Sequence, residues 1–222
     1  MLIKFRHLCV MDEAEKRIGA VKNPRFYKSL REINPLINSL VECMLKGGEA
    51  DDCIQECLRE CRGERCEEAC LGALGVATGT MTAYLIAGRA IRAVELKGSG
   101  LMESIASAFK EELERAKAEE CPDKAVTARI LFMATVELFM GVQEVAGGHP
   151  NLRKPAENLL LLAAPALAEA YQCVGDEVFE YLEAVRPFIG EEAAKRIVAA
   201  LEEGSVLVGG VDFKFKPVKT SQ

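Results

Sequence analysis

The sequence has no Trp and only two His, His7 and His149, and its aromatics are confined to nine Phe and four Tyr. So little imidazole leaves a Ser–His or Cys–His nucleophile poorly supported, and it leaves few nitrogen ligands for a metal. Amides are scarce too. Four Gln and five Asn stand against 34 acidic and 28 basic residues, a charge-rich, amide-poor balance that points to a hyperthermophilic, archaeal source. A phosphate-cradling loop is missing: the nearest stretch, GALGVATG, lacks the Lys-Ser/Thr that a P-loop requires. An export signal is missing as well, because Lys4, Arg6 and His7 break the apolar run of MLIKFRHLCV. The apolar run from Leu71 to Ala87 contains three Thr and is at the short limit for crossing a bilayer, so it reads as a buried helix. These absences together lead us to expect a cytoplasmic protein that is not an enzyme, carries no cofactor and has no membrane partner.

What the chain does have is an uneven charge. Net charge is −6, yet residues 1–31 carry eight Lys or Arg against three acids, and residues 212–222 carry Lys214, Lys216 and Lys219 against Asp212. With the ends at +5 and +2, the middle is −13. Such polarity suits a polyanion or an acidic partner meeting both termini, or two basic ends that are simply solvated. The candidate nucleic-acid-binding residues are Lys16, Arg17, Lys22, Arg25, Lys28, Arg31, Lys214 and Lys216.

Apolar periodicity predicts a mainly α chain. LIKFRHLCV near the start and VLVGGVDFKFKPV near the end alternate apolar with polar residues and read as half-buried strands. Gly209-Gly210 is a two-residue hairpin turn. Between them, helical spacing prevails. Phe26, Leu30, Ile33, Ile37, Leu40 and Met44 recur on one face, and Asp51 or Asp52 is placed to cap the next helix. Gly75, Gly79, Ala83 and Ala87 form a small-residue ladder suited to close helix contact. Three further helices are expected around 154–173, 176–187 and 191–203. The predicted architecture is a single domain over 1–222: an N-terminal strand at 1–10, a multi-helix bundle over 11–203, and a C-terminal β-hairpin at 204–218 that forms a small sheet with the first strand.

The densest motif is CIQECLRECRGERCEEAC, which places five cysteines between Cys53 and Cys70. Four-residue spacing puts Cys53, Cys57 and Cys61 on one side of a helix, and Cys66 and Cys70 on one side of another after the RGER turn. Two antiparallel helices would bring them face to face in one of two registers. One pairs Cys57 with Cys70 and Cys61 with Cys66, leaving Cys53 opposite Leu74; the other pairs Cys53 with Cys70 and Cys57 with Cys66. The first sets Gly63 just past a helix end, where a left-handed residue is favoured, and is preferred. The alternatives are free or regulatory thiols and a metal or iron–sulfur site on Cys57, Cys61, Cys66 and Cys70, although structural zinc knuckles usually have two residues between ligands and not three. Disulfides in a cytosolic protein fit the hyperthermophile exception, and no metal is expected.

One further group stands out. Glu137 lies in AVTARILFMATVELFMGVQEVAGG, a helix apolar nearly all round, with Met133, Ala134, Met140 and Gly141 on its own face. A carboxylate there reads as an ion pair or groove-lining contact, or as a general base or metal ligand.

Three blocks occur in an order that resembles the small helical subunit of type III-B CRISPR effector complexes. They are Tyr27, Ser29, Leu30 and Pro35; then Ala83, Tyr84, Leu85, Ile86 and Ala87; then Ala134, Thr135 and Glu137. The resemblance covers residues 11–147, with the cysteine hairpin as an insertion and no Trp where that family carries one. It implies a noncatalytic subunit of antiviral defense that stacks along a filament of guide RNA and target, touching nucleic-acid backbone and neighbouring subunits. The expected partners are therefore other protein subunits with RNA or single-stranded DNA, or else the contacts of a structural component such as a viral protein.

Overall fold

The most small-residue-rich stretch of the sequence becomes the longest helix and the axis of the molecule. The computed structural model describes residues 35–62, 66–146 and 153–219. In chain order these form α1 (Pro35–Leu45), α2 (Ala50–Glu60), α3 (Cys66–Lys97), α4 (Leu101–Lys117), α5 (Asp123–Ala146), α6 (Arg153–Leu159), α7 (Ala163–Val174), α8 (Val178–Ile189) and α9 (Glu191–Glu203). Strands β1 (Ser205–Val208) and β2 (Val211–Lys214) follow, and short 3₁₀ turns link α6 to α7 and α7 to α8. The fold is thus a multi-helix bundle with a cross-linked helical hairpin and a small antiparallel sheet. The predicted strand at 1–10 lies outside the described residues, as do Gly63, His7 and His149.

Two hydrophobic clusters share α3. Its second half, with Ala83, Ile86 and Ala90, belongs to the main core, which α4, α5, α7, α8, α9 and β2 complete through Phe109, Phe132, Leu167, Leu182, Ile197 and Phe213. Its first half, with Cys70, Ala73, Ala77 and Met81, packs against Ile37, Leu40 and Met44 of α1 and against Cys53 and Cys57 of α2. Within α3, three threonines would be awkward in an apolar setting if their hydroxyls were unpaired. Thr78, Thr80 and Thr82 instead donate to Leu74, Val76 and Thr78 carbonyls, one turn back. By length and composition, Ala69–Leu96 and Asp123–Gln143 are long and apolar enough to cross a membrane, and about half of each, 47% and 56%, is buried against the rest of the protein.

The small-residue ladder is realised at one rung. A Cβ on Gly79 would come 2.6 Å from the Cβ of Met133, so this glycine is what lets α3 lie against α5. Gly75, expected on the same seam, has open space where its Cβ would be. The two positions should therefore respond oppositely to alanine. Gly79→Ala is expected to lose about 1–2 kcal/mol, overpacking outweighing the gain in helix propensity. Gly75→Ala should be stabilising by roughly 0.5–1 kcal/mol, since only the propensity term remains. Urea midpoints for the two variants check this; equal shifts would refute the close approach.

At the other end of the chain the alternation read from sequence appears as packing. Phe213 is buried and Val208 is buried, whereas Asp212, Lys214 and Leu207 face outward. Register pairs Val208 with Val211 and Ser205 with Lys214, leaving Gly209 and Gly210 as the turn, both with positive φ. Gly209 is constrained twice, because a Cβ there would also strike the backbone of Met102 and Glu103. The hairpin tip consequently rests on the start of α4, and Phe213 meets Phe109 edge-to-face at 6.1 Å. Beyond β2 the chain turns back: Phe215 donates its N–H to the Gly204 carbonyl, and Val218 donates to Leu201, using a carbonyl that the end of α9 leaves open.

One capping expectation is corrected. The helix begins a residue earlier than Asp51, with Glu49 in the cap position and no side-chain capping bond. Asp51 and Asp52 sit in its first turn, where their charge complements the positive end of the helix dipole.

Candidate functional site

Three local constellations carry chemistry, and the first is the cross-linked lobe. Helix α2 is nearly half charged, and its buried residues are Cys53 and Cys57. Cys57 is bonded to Cys70 and Cys61 to Cys66, the first of the two registers expected from the spacing. Cys53 does not face Leu74 in isolation but is bonded to Cys43 on α1, and that disulfide lies against the backbone of Gly48, whose Cβ would meet both sulfurs at under 3 Å. A fourth bond joins Cys121, in the turn before α5, to Cys173 in the last turn of α7. The four Cα–Cα separations, 5.6–5.9 Å, are ordinary for disulfides. Sequence reasoning missed Cys43, Cys121 and Cys173. Cys43 could have been found, since it and Cys53 flank the KGGEADD turn between two helices; Cys121 and Cys173 are 52 positions apart and meet only because α5 and α7 pack antiparallel. With every sulfur of the cluster in a disulfide, none of the four is a thiolate available to a metal, and the described residues contain no grouping of three or more His, Cys, Asp or Glu arranged to hold one.

The second constellation is basic. Lys214 projects from β2 with its side chain 82% exposed, 3.6 Å from the Asp212 carboxylate. Lys216 and Lys219 are exposed on the returning tail. Lys110, on α4, donates to the Asp212 carbonyl at 2.8 Å and stands 5.7 Å from the centre of the Phe213 ring. Lys110 was not legible as a member of this strip, because α4 and β2 come together only in the tertiary fold. Lys16, Arg17, Lys22, Arg25, Lys28 and Arg31 lie outside the described residues.

The third is Glu137. It is buried at 6% exposure amid α5, between Val136 and Leu138 of the main core, and its Oε2 has no hydrogen-bond partner among the described residues. The expected ion pair is therefore not what surrounds this oxygen. Burial alone pushes its carboxyl from the ordinary 4.5 up to about 7. Its neighbour Thr135 is satisfied by the Leu131 carbonyl, and the other buried acid, Glu169, accepts a bond from Gln172. A general acid or base at Glu137 would need an approach for substrate and a second polar group on the same seam; of its own-face neighbours Ala134 is buried and Met133, Met140 and Gly141 are partly exposed.

No protein-family model matches the chain, and neither a curated protein nor a solved structure resembles it.

Proposed function

We propose that this protein is a noncatalytic helical subunit of a larger nucleoprotein assembly, working in the cytoplasm of a thermophile and touching nucleic-acid backbone through its basic segments. The observation that carries the reading is the lysine strip Lys110, Lys214, Lys216 and Lys219, held on a hairpin and tail whose apolar side is locked into the core, on a chain whose middle is strongly acidic. Lysines anchored this way offer a line of positive charge to a polyanion, with Lys214 standing 3.6 Å from the Asp212 carboxylate. The basic segment Lys16–Arg31 adds to the same charge polarity. Support also comes from the cysteines, which serve as cross-links, and from the burial of Glu137 within α5. The narrower form of the reading, a small subunit of a type III-B CRISPR effector complex, rests on the three sequence blocks alone.

Binding of labelled single-stranded RNA and DNA, followed by fluorescence anisotropy across a salt series, tests it. The expected result is binding that weakens steeply with salt. Charge reversal at Lys214 and Lys216, or at Lys22, Arg25, Lys28 and Arg31, should lower the salt slope by about one for each phosphate that is no longer neutralised. Binding that ignores both sets of substitutions, with helicity intact, would remove these residues from the nucleic-acid surface. An absence of binding at low salt would overturn the nucleoprotein reading altogether.

A further inference from the structure

Helix α2 is attached to the protein in an unusual way. Its eleven residues bury no apolar side chain apart from the half-cystines Cys53 and Cys57; Ile54 and Leu58 are only partly covered. It has no side-chain cap at its start, and its far end closes on a Cys61 N–H to Cys57 carbonyl bond. A helix this short and this polar is marginal in water without tertiary support. That support consists largely of three disulfides: Cys43–Cys53 to α1, Cys57–Cys70 to α3, and Cys61–Cys66 across the tip. By contrast, α1 reaches α3 through apolar packing, with Ile37, Leu40 and Met44 against Ala73, Ala77 and Met81. The main core holds Cys121–Cys173 at its margin and is otherwise built from apolar side chains.

We propose that α2 is a redox-released clasp: reduction of its three disulfides lets residues 46–62 unfold locally, baring the apolar seam between α1 and α3, while the main core stays folded. A dithiol reductant supplies the chemistry. In each step a thiolate attacks one sulfur to give a mixed disulfide, and the reductant's second thiol displaces the protein cysteine. The protein disulfide thus gains two electrons and two protons to become two thiols, and the dithiol leaves as a cyclic disulfide. Burial sets the order of attack. Cys61 and Cys66 are both partly exposed, and Cys43 is partly exposed beside a buried Cys53, whereas Cys57 and Cys70 are fully buried. The tip bond opens first, the α1 bond next, and Cys57–Cys70 last, once the helix end has frayed.

Hydrogen–deuterium exchange read by mass spectrometry, with and without dithiothreitol at room temperature, tests the proposal. Alkylation of every cysteine confirms complete reduction. The expected result, read in the Cys121→Ser/Cys173→Ser protein so that reduction opens only the three bonds of the lobe, is a large rise in deuterium uptake confined to peptides from 46–62, with partial reduction labelling Cys61 and Cys66 before Cys57 and Cys70. Full reduction with no new uptake in this segment would overturn the clasp. Uptake rising equally through α4, α5 and α7 would overturn it too, because release would then be global. Early labelling of Cys57 would refute the order.

Discussion

Replacing Cys121 and Cys173 together by serine should lower the melting temperature by roughly 8–16 °C, the largest effect expected of any disulfide here. The bond closes a span of 52 positions, against 10, 13 and 5 for the three bonds of the lobe. Loop-closure entropy grows with the logarithm of that span, giving about 4 kcal/mol for the long loop and about 2–3 kcal/mol for each short one. Location adds to length. The bond joins the entry of α5 to the exit of α7, two helices that pack face to face through the main core, so its loss falls on the global transition. Serine is a fair replacement because Cys121 is exposed and Cys173 only partly covered, so neither hydroxyl is forced into an apolar site. Calorimetry of the double variant, the wild type and the reduced wild type decides it. Identical melting of oxidised wild type and variant would mean that the bond contributes nothing to the folded state.

The second large effect is a pH dependence owed to one residue. Folded-state burial raises the Glu137 carboxyl from 4.5 to about 7, so between those values the native protein holds a proton that the unfolded chain has released. Stability from this group is therefore complete below about pH 4.5, falls as pH rises, and is fully lost once pH passes 7. Two and a half units correspond to roughly 3 kcal/mol. Glu137→Gln keeps the size and removes the titration. Urea denaturation of both proteins at pH 5 and pH 8 should show the variant gaining roughly 2–3 kcal/mol on the wild type across that interval, whatever the slopes from other carboxylates common to both. Parallel curves would show that Glu137 titrates normally, and hence that water or a partner reaches its Oε2.

The parts of the molecule readable from sequence are those governed by short-range periodicity. Gly209-Gly210 between alternating residues dictates a hairpin, since only a turn with positive φ matches the twist of its strands. Cys57, Cys61, Cys66 and Cys70 fall in one register because an antiparallel helical hairpin makes facing positions march in opposite directions. The interior placement of Glu137 follows from a helix apolar on all sides. What was not readable depends on which helices become neighbours. Cys121 finds Cys173, Lys110 finds Asp212, and Gly79, not Gly75, finds Met133, each through a packing choice that no local pattern encodes.

That dependence has a bearing on the order of synthesis. The lobe is made of residues that leave the ribosome close together, and its bonds span at most 13 positions. The main core waits much longer, because Phe109 is covered by Phe213, Lys110 reaches Asp212 across 102 positions, and Val208, Phe213 and Val218 close the apolar interior. A nascent chain therefore emerges with one finished corner and one open flank, and the flank is sealed only when the hairpin arrives. Chains stalled before residue 205 would leave the surface of α4 bare and would be the natural substrates of a chaperone.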